Sequence, residues 1–93
     1  MLINDVKVAL RVTNEAMDSE IADLIEACKS DLGISGVDMV IETDPLIKRA
    51  IITYCKAYFG YDNPDADRLI GSYQSLKNHL AISSDYHTYE VTV

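Results

Sequence analysis

Two histidines, two cysteines and a short run of aspartates are the residues of this chain best suited to chemistry. A metal site needs several donors converging, and neither His79 nor His87 has an acid or a cysteine at a recognised ligand spacing. Both read as exposed or locally hydrogen-bonded imidazoles. Asp62, Asp65 and Asp67 invite a calcium loop, but an EF-hand requires a glycine at its sixth position and a bidentate glutamate at its twelfth, and Pro64 breaks the loop geometry. The aspartates fit a turn followed by a helix start. Serine, aspartate and histidine all occur without a G-x-S-x-G elbow, a P-loop or a dinucleotide-binding glycine pattern. No catalytic, cofactor-binding or metal-ligating residue is therefore assigned, and the chain is expected not to be an enzyme.

Cys28 and Cys55 lie among apolar residues at helical spacing and share no Cys-x-x-Cys pattern, so they read as buried, reduced thiols of a cytosolic protein. The aromatic complement is more telling: six Tyr, one Phe and no Trp place most of the aromatic surface in side chains with a polar tip, a type enriched at interfaces. Tyr54 and Tyr58 fall on a helical stripe and belong to a core. Tyr86 and Tyr89 lie in a polar tail, where either an interface or packing on the rest of the chain would cover them.

The elements that must position these residues follow from apolar spacing and from start and stop signals. Asn4 to Leu10 forms a short first helix, with Val6 and Leu10 four apart. Ile21, Leu24, Ile25, Cys28 and Leu32 trace one face of a second helix, roughly residues 17 to 32, with Gly33 where a C-terminal cap belongs. Between 33 and 44 the helical period is lost, and Val37, Met39 and Ile41 alternate with Asp38 and Glu42, as in a short extended piece. Asp44 then Pro45 opens a third helix whose stripe is Ile47, Ala50, Ile51, Tyr54 and Tyr58, and Gly60 ends it. Asn63 then Pro64 repeats the start signal for a fourth, running to about Leu80 with Leu69, Tyr73 and Leu76. After Ser83 the chain turns polar, and Tyr89, Val91 and Val93 alternate with Glu90 and Thr92 as in a strand or an extended arm.

The expected fold is mainly α: a small bundle of about four helices, with a short extended or β segment in the 33–44 loop and at the C-terminus. Ninety-three residues make one domain, 1–93, with 83–93 as a C-terminal arm. Its 15 acidic against 8 basic residues give a net charge of -7, which opposes a grip on the phosphate backbone. No apolar run approaches the roughly 20 residues that cross a bilayer, and no basic-then-apolar leader opens the chain. So small a core would gain from burial through self-association.

The stretches PLIKRAIITYCKAYFGYDNPDADR from Pro45 and SYQSLKNHL from Ser72, with LRV at Leu10 to Val12 and DSEI at Asp18 to Ile21, resemble the head-tail connector family of tailed bacteriophages and prophages, often labelled DNA-packaging proteins. The likeness spans about residues 4 to 82 and rests on helix starts, stripes and turns. It implies a small helical bundle whose copies form a ring beneath the portal, extend the DNA channel and receive stopper or tail-completion proteins. DNA would pass nearby without specific binding, no membrane or cofactor is involved, and the protein would belong to the phage neck, assembled in the bacterial cytoplasm. The loop and arm are then candidates for contact with neighbours, through Val37, Met39, Ile41, Tyr86, Tyr89, Val91 and Val93. An acidic regulatory or DNA-mimic protein without catalytic activity is the alternative, and it requires carboxylates gathered on one face. A small hydrolase would require converging His and acid residues.

Overall fold

The computed structural model describes residues 2–37, 40–60 and 63–83. Within them the chain forms α1 (Leu2–Leu10), a 3₁₀ turn (Glu15–Met17), α2 (Asp18–Ile34), α3 (Pro45–Tyr58) and α4 (Ala66–Ile82). No strand occurs among the described residues, and the strand-like tail from Ser84 onward lies outside them.

Helix α3 organises the bundle, because α1, α2 and α4 all pack against it, α4 most extensively. Its start follows the sequence signal. The Asp44 carboxylate accepts from the backbone N–H groups of Leu46 and Ile47 at 3.0 and 3.1 Å, and Pro45 occupies the first turn, where its missing donor costs nothing. Ile47, Ile51 and Cys55 form an i, i+4 row with no exposed surface, joined by Ala50. Against this row pack Val6 of α1, Ile21, Cys28 and Leu32 of α2, and Tyr73 and Leu80 of α4. The expected stripe is corrected at its end: Cys55 takes the fully buried place, Tyr54 lies at the margin, and Tyr58 is 47% exposed with its ring 4.6 Å from that of Tyr54. Leu24 and Leu76, expected in the core, also pack at its edge.

Helix α2 runs through Gly33 and ends at Ile34. The N–H of Gly36 donates to the carbonyl of Gly33 and that of Val37 to the carbonyl of Leu32, a Schellman motif with Gly36 in the left-handed region at φ 100°. That motif turns Val37 back onto Leu32, and both side chains are fully buried. The same hydrogen-bond pattern closes α1, from Arg11 to Val8 and from Val12 to Lys7, but there Arg11 occupies the left-handed position at φ 61°. The polar stretch after it adds a feature absent from the sequence reading, a 3₁₀ turn capped by the Asn14 side chain, which accepts from Ala16 N–H at 2.8 Å.

The second Pro signal builds a turn in place of a first helical turn. Asn63 accepts from Asp65 N–H through its side chain and from Ala66 N–H through its carbonyl, while its Nδ2 donates to the Lys56 carbonyl at the end of α3. α4 begins only at Ala66, and its first bond runs from Leu69 N–H to the Asp65 carbonyl.

Candidate interaction surfaces

The residues with chemical potential do not converge. His79 is exposed on α4, and His87 and Asp62 lie outside the described residues. Asp65 stands 3.7 Å from Arg68, Asp67 faces solvent, and no group of His, Cys, Asp and Glu among the described residues could hold a metal ion. Cys28 and Cys55 are free, buried thiols. Burial pushes Cys28 up to about 12 and Cys55 up to about 11, the reverse of what a nucleophilic thiolate needs.

One polar network crosses the bundle. The Tyr73 hydroxyl of α4 donates to Asp31 Oδ2 of α2 at 2.6 Å and accepts from Cys28 Sγ at 3.7 Å. Lys77 Nζ lies 3.0 Å from the same Asp31 oxygen and 5.4 Å from the centre of the Tyr73 ring, on whose edge Tyr54 packs. Partial burial penalises the Asp31 carboxylate, but the hydrogen bonds from Tyr73 and Lys77 outweigh it and hold its pKa below the ordinary value. Burial, followed by the bond to charged Asp31, raises the Tyr73 phenol far above its usual range. A phenol kept neutral beside a carboxylate kept charged is a latch between helices.

The interface residues expected from sequence divide. Val37 is a correction: the Schellman turn buries it completely, so it offers no side chain to a neighbour. Ile41 is 49% exposed, as an interface residue must be. Met39, Tyr86, Tyr89, Val91 and Val93 lie outside the described residues. Three strongly exposed apolar residues were not anticipated: Val8 (78% exposed) in α1, and Ile34 (86%) and Ile82 (84%) in the last turns of α2 and α4. All three lie off the stripes that guided the reading, and that position was the available signal.

A groove of about 470 Å³ runs between α3 and α4 and touches α1 at Ala9. Ile52, Leu69 and Leu76 give it an apolar floor, and Arg49, Lys56 and Arg68 line it, three of the chain's eight cations. Arg49 and Lys56 are seven apart and therefore share a helix face, which the sequence could have revealed. Arg68 joins them only through the packing of α4 on α3.

The described residues form a small, mainly α bundle with exposed apolar side chains and a cation-lined groove on its surface. No helix among the described residues is long and apolar enough to cross a membrane. The family model of the phage connector proteins matches residues 2–87, and the chain belongs to that family. Its role is that of a structural connector and virion component, among the partners of virion assembly. No curated protein and no solved structure matches the chain.

Proposed function

We propose that copies of this protein form a ring below the portal of a tailed phage or prophage, joining head to tail and extending the DNA channel after packaging. The match to the connector family over residues 2–87 carries the reading. Physical features support it. Ile34, Ile41 and Ile82 are large apolar side chains left substantially in water by the isolated chain, as expected of a subunit that meets others. A net charge of -7 suits a channel wall, because a surface that attracted phosphate would retain DNA in transit and one that repels it lets DNA slide. Assembly takes place in the bacterial cytoplasm, with the portal on one side and a stopper or tail-completion protein on the other. Ile41, together with Met39, Tyr86, Tyr89, Val91 and Val93, makes contacts with these neighbours.

The test is deletion of the gene in its own phage, followed by electron microscopy of the particles. DNA-filled heads without tails, rescued by the supplied protein and carrying it at the neck, are expected. Normal tailed particles in its absence would refute the role. A chain truncated after Ser84 tests the arm: weaker portal binding or self-association with an unchanged helical signal is expected, and equal binding would make the arm passive.

A further inference from the structure

The ion pairs leave a pattern that the overall charge conceals. Lys7, Lys29, Lys48, Arg68 and Lys77 each have an acidic partner within the chain, which accounts for Asp5, Asp18, Glu26, Asp31, Glu42 and Asp65. Among the described residues Arg11, Arg49 and Lys56 have none; Arg11 lies just past the end of α1 and away from the groove, whereas Arg49 and Lys56 both line it between α3 and α4. Glu15, Glu20, Asp23 and Asp67 also have none; Asp67 sits alone in the first turn of α4, while the other three lie together in the 3₁₀ turn and the first two turns of α2, all exposed. The helix dipole accounts for Glu20 in the first turn but not for Asp23 in the second. Glu20 and Asp23, three apart, share one helix face. No residue of α2 lines the groove, so the two unpaired sets cannot meet within one copy.

We propose that the α3–α4 groove receives the acidic face of α2, centred on Glu20 and Asp23, from a second copy of this chain. Because groove and acidic face are different surfaces, the contact is head-to-tail, and each copy keeps one of each free for the next, the arrangement that closes into a ring when the rotation allows. This rests on the ring reading above and assigns its subunit interface. Arg49 and Lys56 supply the charge, Arg68 adds a cation held only at 3.7 Å by Asp65, and Ile52, Leu69 and Leu76 give a floor for the aliphatic stems of the incoming acids. DNA is the poorer occupant: three cations neutralise few phosphates, the chain's charge repels the rest, and an apolar floor offers a phosphate nothing.

Charge exchange tests the assignment on the full chain. The groove variant Arg49→Glu/Lys56→Glu and the face variant Glu20→Lys/Asp23→Lys change only exposed positions, and circular dichroism reports their folding. Sedimentation velocity at low salt should show each variant alone associating roughly tenfold or more weakly than the wild type. An equimolar mixture should recover association, because each variant then presents the complement that the other needs. Misfolded variants would not rescue one another. Loss without recovery on mixing, undiminished association of either variant, or a wild type that stays monomeric at millimolar concentration would each overturn the interface. So would binding of a short DNA duplex by the wild type that the groove variant abolishes. The deletion phenotype is independent of these outcomes, so a connector assembled through other surfaces would leave tailless heads in the deletion and unaltered association here.

Discussion

Replacing Tyr73 by Phe removes one oxygen atom from the contact that joins α4 to α2. The two helices both lie against α3 and share little backbone packing of their own, so the bonds of Tyr73 and Lys77 to Asp31 are their main polar link. A hydrogen bond to a charged group contributes about 1.5–3 kcal/mol. Here the Asp31 side chain is 37% exposed and keeps Lys77, so water and the ammonium compensate in part, and the lower end, about 1.5 kcal/mol, is expected. The ring keeps its edge-on contact with Tyr54, so no cavity term adds to this. For a domain of this size the change lowers Tm by roughly 6–12 °C at neutral pH. The acid limb provides a second measurement. A carboxylate whose folded pKa is depressed contributes stability that is fully present above its ordinary value of 3.8 and is lost as pH falls through the lower folded value. In Tyr73→Phe the depression shrinks, so stability falls less steeply below that pH and the gap to the wild type narrows. Thermal and urea melts followed by circular dichroism, at neutral pH and in acid, measure both effects. A variant at least as stable as the wild type at neutral pH would show that the hydroxyl does not hold the helices together.

Arg11→Gly should raise stability by about 0.5–1 kcal/mol, since Arg11 holds a left-handed conformation that glycine adopts without strain, and a urea melt reads the change. Arg11→Ala should bring no such gain. Gly71→Ala, inside α4 where a Cβ meets nothing within 4 Å, should stabilise by roughly 0.5–1 kcal/mol through helix propensity, visible as a higher Tm. Cys28 and Cys55 should react with a thiol reagent at neutral pH only after unfolding, giving two free thiols. Because burial raises both thiol pKa values above the ordinary 9.0, to about 12 and about 11, the unfolded chain loses these protons first. Stability should therefore decline as pH rises above 9, and a flat alkaline limb would contradict the burial of the thiols.

Local chemistry made much of the fold legible in the sequence. Four apolar stripes at helical spacing, and Asp44 followed by Pro45, act over three to eleven residues, and the structure places α1 to α4 where they point. The absence of a motif argued against catalysis on the same short-range grounds. Where a local signal admits two outcomes, packing decided. Gly33 and Gly36 are equally able to end a helix, and α2 passes through Gly33 to Ile34 with Gly36 in the left-handed position, because the turn there lets Val37 fold back beside Leu32 in the core. Asn63 and Pro64 fit a helix start or a turn, and the bond from Asn63 to the Lys56 carbonyl at the end of α3 selects the turn. Cys55 is buried and Tyr58 half exposed because the line of contact with α4 is a property of two helices, which one helix's periodicity does not encode. The Tyr73–Asp31 latch joins residues 42 apart, and the groove brings Arg68 beside Arg49 and Lys56 across a turn. Neither leaves a periodic trace, because side-chain chemistry between helices depends on how they cross. The sequence by itself thus determined a small acidic helical bundle without a catalytic motif, and the tertiary structure alone decided which of its charges are satisfied inside the chain and which remain for a partner.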